Sequence, residues 1–296
     1  MCAIVAERAC SVRLQPDSIA PYAHALPLDT EPPEQPPTRL PDREQRAAFW
    51  FQLDAINFGS GWFPTLSKRD GLSGYGTIAG ALRDRADRQG PWSAAQLTEL
   101  DAATVAAVLG QPADHELMML YARSLVQLGE LVLAENGGSF AAVADAAGGS
   151  AVGLAQRLAA WPCFADSSRY DELEIPFLKR AQIAAADLAR AAVTEFGDLA
   201  GLTMFADNLV PHVLRLDRIL SFTPGLVGRI AAGALIEHGS PEEVEIRACA
   251  VQAVELIVAA APAAVTAAEV DEILWNRGQQ PTYKAVPRHR SRTTAY

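Results

Sequence analysis

Ser240-Pro241-Glu242-Glu243 opens the run SPEEVEIRACAVQAVELIV, residues 240–258, and its reading decides the fold. A serine cap, proline at the first helical position and glutamate at the third are together a strong helix start. Val244, Ala248, Val251, Val254 and Val258 follow at spacings of 4, 3, 3 and 4, which line up as one apolar stripe on a helix. The same grammar recurs upstream. Ser93 and Gln96 form a capping box before Leu97 and Leu100. Asp101 precedes a short helix that stops at Gly110, and Asp114 caps a longer one carrying Leu117, Leu120, Tyr121, Leu125 and Leu128, ending at Gly129 or shortly after. Pro176 begins a helix through Phe196, closed by Gly197. Period-2 alternation is scarce, so the chain reads as all-α, a single helical domain of about 12 helices at ordinary helix and loop lengths.

The chain has 296 residues, half of them hydrophobic, with a net charge of −10. Its length fits one large domain or two small ones. The acidic balance argues against a protein that holds duplex DNA through a basic stripe, but leaves room for a small anion in a local basic pocket. Cys2, Cys10, Cys163 and Cys249 are scattered and form no CxxC pair, so they read as free thiols of a reducing cytoplasm rather than metal ligands. The most apolar run, 250–265, contains Glu255 and Pro262, and no membrane span or membrane partner is expected. Eight of the 19 prolines fall between Pro16 and Pro41. Residues 1–41 therefore read as an extended, proline-rich arm, and residues 42–296 as the helical domain.

Four segments mix aromatics, carboxylates and basic residues more than a plain bundle requires. In the first, Phe49 to Pro64, Asp54 and Asn57 are three apart and share a face if helical. Buried together they need partners, such as the amidine-like edge of a purine-type base; a helix C-terminus among core aromatics explains them equally. In the second, Lys68 to Thr77, glycines beside basic residues suit either a phosphate cradle or an ordinary loop. In the third, Lys179 and Arg180 place two cations in a first helical turn, against the macrodipole. An anion ligand or pairing with Asp171, Glu172 or Glu174 would relieve that. In the fourth, Asp207 sits among Leu202, Met204, Phe205, Leu209 and Val210, where a carboxylate is costly unless paired, used, or capping a helix.

Read in order, LDAINFGSGWFP (53–64), KRDGLSGYGTIA (68–79), EIPFLKRAQI (174–183), LTMFADNLVPHVL (202–214), SPEEVEIRACAV (240–251) and the ending LWNRGQQPTYKAVPRHRSRTTAY (274–296) resemble the queuosine salvage protein family, the queuosine 5′-phosphate N-glycosylase/hydrolases. The resemblance implies a helical fold related to helix–hairpin–helix DNA glycosylases. It implies release of the base queuine from queuosine 5′-monophosphate, with that small nucleotide and queuine as partners and no metal or organic cofactor. Asp207 is the catalytic carboxylate it implies. Substrate contacts fall to Asp54 and Asn57 on the base edge, Phe58 or Trp62 stacked on the base, and Lys179, Arg180, His212, Lys284 and Arg288 at the phosphate, with Asn208 and Trp275 also in matching motifs. Asp54, Asn57 and Asp207 are then expected in one pocket.

The expected chemistry passes through an oxocarbenium-like state that a nearby carboxylate stabilises. Queuine is a 7-deazaguanine without an N7 to protonate, so leaving-group help must come from hydrogen bonds elsewhere on the base. Two other readings stand beside this one. A base-excision glycosylase acting on nucleic acid would show a basic surface groove. A non-catalytic helical binding protein would lack a closed polar pocket around Asp207.

Overall fold

The computed structural model describes residues 1–28 and 40–296. It is mostly helical, with fifteen α-helices and two small antiparallel sheets among the described residues. The chain divides into two compact units. The first comprises Met1–Glu34, Ser167–Lys179 and Leu202–Thr293, and the second Gln35–Asp166, Arg180–Gly201 and Thr294–Tyr296.

The chain begins in the first unit with α1 (Cys2–Arg8), β1 (Val12–Leu14) and α2 (Pro16–Ala25). This corrects the extended arm expected over 1–41. Val5, Val12, Ile19 and Ala23 are buried in the core of this unit, and Pro16 opens α2 rather than preventing it. The proline run Glu31 to Pro37 lies outside the described residues.

Helices α3 (Arg43–Ala55), α4 (Gly74–Gln89), α5 (Ala94–Thr98), α6 (Ala102–Leu109), α7 (Glu116–Asn136), α8 (Phe140–Asp145) and α9 (Ala151–Ala159) belong to the second unit. The Ser93 capping box and the Asp101 cap form as read, and Gly110 ends α6 in the left-handed conformation. Helix α7 differs. His115, not Asp114, caps it, and it continues through Gly129 to a left-handed Gly137. Gly129 is a contact glycine: a Cβ there would lie 2.7 Å from the Ala94 carbonyl oxygen and 2.6 Å from Leu97 Cβ, so its absence lets α7 press against α5. By length and composition α7 could cross a membrane, and its buried residues pack within the second unit against α3, α5, α6 and α8.

The chain returns to the first unit as a hairpin of β2 (Ser167–Tyr170) and β3 (Leu173–Pro176), turned by Asp171 at φ 51°. Pro176 thus closes a strand, and α10 (Lys179–Arg190) starts only after Leu178, which takes φ 53°. The helix expected over 176–196 is shorter at both ends.

The remaining elements are α11 (Val210–Leu216), β4 (Leu220–Phe222), α12 (Pro224–Ala231), α13 (Pro241–Ala260), α14 (Ala267–Gly278) and α15 (Pro281–Lys284), all in the first unit. Strand β4 pairs with β1, Arg13 opposite Ser221. The decisive run forms α13 as read, with Ser240 accepting the Glu243 N–H. It is buried on nearly every side rather than along one stripe, because α1, α2, α11, α14 and strands all pack on it. Its inward Glu245 is satisfied by the N–H groups of Cys10, Ser11 and Val12 and by the Tyr170 hydroxyl at 2.9 Å.

Candidate active site

Asp207 lies in the first unit, in the segment that leads into α11. Its Oδ1 accepts the N–H groups of Leu209 at 2.7 Å and Val210 at 3.1 Å, while Oδ2 makes no hydrogen bond among the described residues. Asp207 therefore braces the turn into α11, whose N-cap is Leu209, and this occupies one oxygen only. The brace fixes the carboxylate plane, and the second oxygen is left to act on something else.

Three buried side chains hold the backbone around it. Arg247 of α13 donates from Nε to the Ala206 carbonyl at 2.9 Å, stacks 3.9 Å from the Phe177 ring, and approaches Glu243 at 3.6 Å. The Phe205 N–H donates to Asp271 Oδ1 at 3.1 Å. Asn208 donates from Nδ2 to the His289 carbonyl at 3.2 Å. Asn208 is thus 4 % exposed and ties the 287–292 segment to the loop.

Burial, and secondarily the Asp207 charge, pushes the Asp271 carboxyl well above the usual carboxylate range. Arg288 is lowered by burial and feels the Asp207 carboxylate as its favourable neighbour. Lys179 is 5 % exposed and acts on Asp271 electrostatically. Trp275 stands one turn beyond Asp271 on α14, half-buried against the core of the first unit. Lys284 is exposed at the end of α15.

The His212 ring is held by internal partners. Nε2 faces the Tyr283 carbonyl at 3.0 Å and Nδ1 faces Arg215 at 3.3 Å, which sets the proton on Nε2. Burial lowers its pKa to about 4, so the ring is neutral near pH 7.

In the second unit, Asp54 is fully buried on the last turn of α3. The helix ends at Ala55, so Asn57 is not on a shared helical face; its N–H donates to the Asp54 carbonyl at 3.2 Å. The Arg180 guanidinium and the Tyr75 hydroxyl both feel the Asp54 carboxylate. Phe58 packs edge-on against Tyr121, ring centroids 4.9 Å apart, and under the Arg180 guanidinium at 5.1 Å. Trp62 is buried, with its indole N–H on Glu116 at 2.7 Å. A cleft of about 210 Å³ lies beside Phe58, bounded also by Ser124, Gln127, Cys163 and Thr294.

Arg180 is likewise held by internal partners. Its guanidinium donates to the carbonyls of Ala55 (2.7 Å), Ala295 (3.2 Å) and Cys163, and burial lowers its pKa to about 10. Of the competing partners, Asp171 and Glu172 pair with Arg8. The loop reading holds for Lys68 to Ser73, where Arg69 pairs with Asp84, while Gly74–Thr77 form the first turn of α4 capped by Ser73.

A family model described as queuosine salvage protein matches residues 38–296. The chain belongs to the queuosine salvage protein family. A queuosine 5′-phosphate N-glycosylase/hydrolase of Sphaerobacter thermophilus is 34 % identical, across 99 % of this chain and 95 % of its own. Proteins of the same name from Bos taurus and Mus musculus are 28 % and 31 % identical, over 84 % and 59 % of this chain and 78 % and 56 % of theirs.

Reading by motif missed Asp271 and Arg247. Asp271 precedes the quoted ending by three residues and lies on the inward face of α14 with Ala267, Val270 and Leu274. The test applied to Asp207, a lone carboxylate among apolar neighbours, would have found it. Arg247 was inside a quoted motif, but only the packing shows that it reaches Ala206.

Proposed function

We propose that the protein hydrolyses the N-glycosidic bond of queuosine 5′-phosphate and releases queuine. Family membership over residues 38–296 supplies the substrate class, and the Asp207 carboxylate carries the chemistry. One of its oxygens is fixed by two N–H groups and the other is uncommitted among the described residues. As the bond to the base lengthens, positive charge grows on the sugar, and a fixed carboxylate meets that charge without reorganising. The same oxygen can then orient or deprotonate the attacking water.

Lys179, Arg288 and Lys284, all within the matching motifs, are the cations this reading assigns to the phosphate. Asp54 and Phe58 keep the base-reading role that the family motif assigns them. The net charge of −10 supports a small nucleotide over duplex nucleic acid as substrate. The mostly helical architecture supports relating the scaffold to helix–hairpin–helix DNA glycosylases, which superposition on such an enzyme tests.

Incubation with queuosine 5′-monophosphate, followed by chromatographic detection of free queuine, tests the activity. Release by the wild type and its loss in Asp207→Asn is the expected pattern. An inert wild type refutes the reading.

A further inference from the structure

The chain from α15 onward is strapped along residues 208–217. Residues 287–293 form neither helix nor strand, so their backbone groups take partners from elsewhere. Asn208 donates to the His289 carbonyl at 3.2 Å, Arg215 to the Pro287 carbonyl at 3.1 Å and His212 to the Tyr283 carbonyl at 3.0 Å. Asp217, which closes α11, completes the series. Its Oδ1 accepts the Tyr283 hydroxyl at 2.6 Å, and its Oδ2 accepts the Tyr22 hydroxyl at 2.5 Å and the Arg277 guanidinium at 2.9 Å. Arg277 also donates to the Tyr22 hydroxyl at 3.0 Å. One carboxylate thus joins α2, α11, α14 and α15. Hydrogen bonds to an ionised acceptor are the strong ones. Burial, and secondarily Asp217, push the Tyr283 hydroxyl up to about 12, so it stays a donor.

We propose that Asp217 is a positioning residue for the cations that meet the nucleotide phosphate: by anchoring Tyr283 it fixes α15, and with it the places from which Lys284 and Arg288 present their charges. The proposal rests on the glycosylase reading and on its assignment of Lys284 and Arg288 to the phosphate. Helix α15 has four residues, a single turn, and cannot hold itself in place. Its one tyrosine is gripped at both ends, the hydroxyl by Asp217 and the carbonyl by His212. Lys284 is the next residue. Arg288 stands between the two carbonyls that Arg215 and Asn208 hold, so its backbone is fixed from both sides once the start of the strap is fixed at Tyr283. Asp217 itself is an anion and offers a phosphate no attraction. Whatever it contributes to nucleotide binding must pass through the residues it holds.

The sign of the effect separates position from charge. Asp217→Ala removes a negative charge and the carboxylate that Arg277 meets, so electrostatics alone would tighten the binding of an anionic nucleotide. Loss of position does the opposite. The experiment measures kcat and KM of the wild type, Asp217→Ala and Asp217→Asn on queuosine 5′-monophosphate and on the unphosphorylated nucleoside, with a melting curve for each protein. In Asp217→Ala the nucleotide KM should rise on the order of tenfold, as for a misplaced binding contact, with the nucleoside KM unchanged. Asp217→Asn keeps an oxygen for one hydroxyl but turns an NH2 toward the remaining donors, so it should shift the same way by less. General loss of structure would instead lower activity on both substrates alike. Should Asp217→Ala fail to fold, Asp217→Asn carries the comparison. A nucleotide KM that stays or falls in the folded variants, or that changes equally with the nucleoside KM, would overturn the positioning role while wild-type queuine release keeps the glycosylase reading. A wild type inert on both substrates would overturn both.

Discussion

Asp207→Asn separates shape from charge. The amide can still accept from Leu209 and Val210, so the loop keeps its brace. It cannot meet a cationic sugar or take a proton from water. The loss should appear in kcat rather than KM, at roughly 3–4 kcal/mol or a few hundred-fold, the scale of removing one preorganised electrostatic group. Single-turnover measurement of queuine release checks it, and wild-type kcat would remove Asp207 from the mechanism. The two neighbouring cations should diverge. Arg180→Lys offers one ammonium to three carbonyls, so it should cost about 3 kcal/mol of stability, given 1–3 kcal/mol for each buried acceptor left unpaired. Lys179→Ala should raise KM for the nucleotide more than for the unphosphorylated nucleoside. A comparison of both variants on both substrates, with thermal melts, tests the pair; a selective nucleotide KM effect in Arg180→Lys would contradict the clamp.

Elements position these residues through a few close approaches. At Gly278 the end of α14 lies against Leu209 and Val213, so Gly278→Ala must push the start of α11. Overpacking of this kind costs about 1–3 kcal/mol. The same push displaces the N–H groups that Asp207 grips, so kcat should fall with stability while KM changes less. Full activity in a destabilised Gly278→Ala would show that α14 does not govern the loop. Local sequence foretold the starts of α5, α6 and α13, because a cap needs only three or four consecutive residues. It misplaced the end of α7, because Gly129 reads as a stop in one dimension and serves as a contact in three. It also missed strands β1 and β4, three residues each, whose partners are about 200 residues apart and which show no alternation long enough to register.

For the whole molecule, acid stability follows from two buried imidazoles. Burial depresses His212 to about 4 and His289 to about 3 from an ordinary value near 6.5. Below pH 6.5 the unfolded chain binds protons that the folded chain refuses, so stability is full above that pH and is lost as pH falls toward 4 and 3. Melting curves between pH 7 and 4 should show the decline, and His212→Gln should flatten part of it while still offering an amide N–H to Tyr283. A slope unchanged by that substitution would assign the acid sensitivity to other groups.

By itself the sequence determined the helical class, several helix starts and, through six ordered motifs, the family. These are carried by short stretches of chain, where capping, periodicity and residue identity act locally. It also singled out Asp207, since a carboxylate among apolar residues is conspicuous in one dimension. Only the tertiary structure decided what the polar groups do. It gave Arg180 and His212 backbone carbonyls to brace, drew residues 1–28 into a core, and brought Asp271 and Arg247 to the Asp207 loop from 64 and 40 positions away in sequence. The physical reason is that a buried donor or acceptor must be satisfied by whatever the packing brings near it, and that partner is set by the fold of the whole chain rather than by its neighbours in sequence.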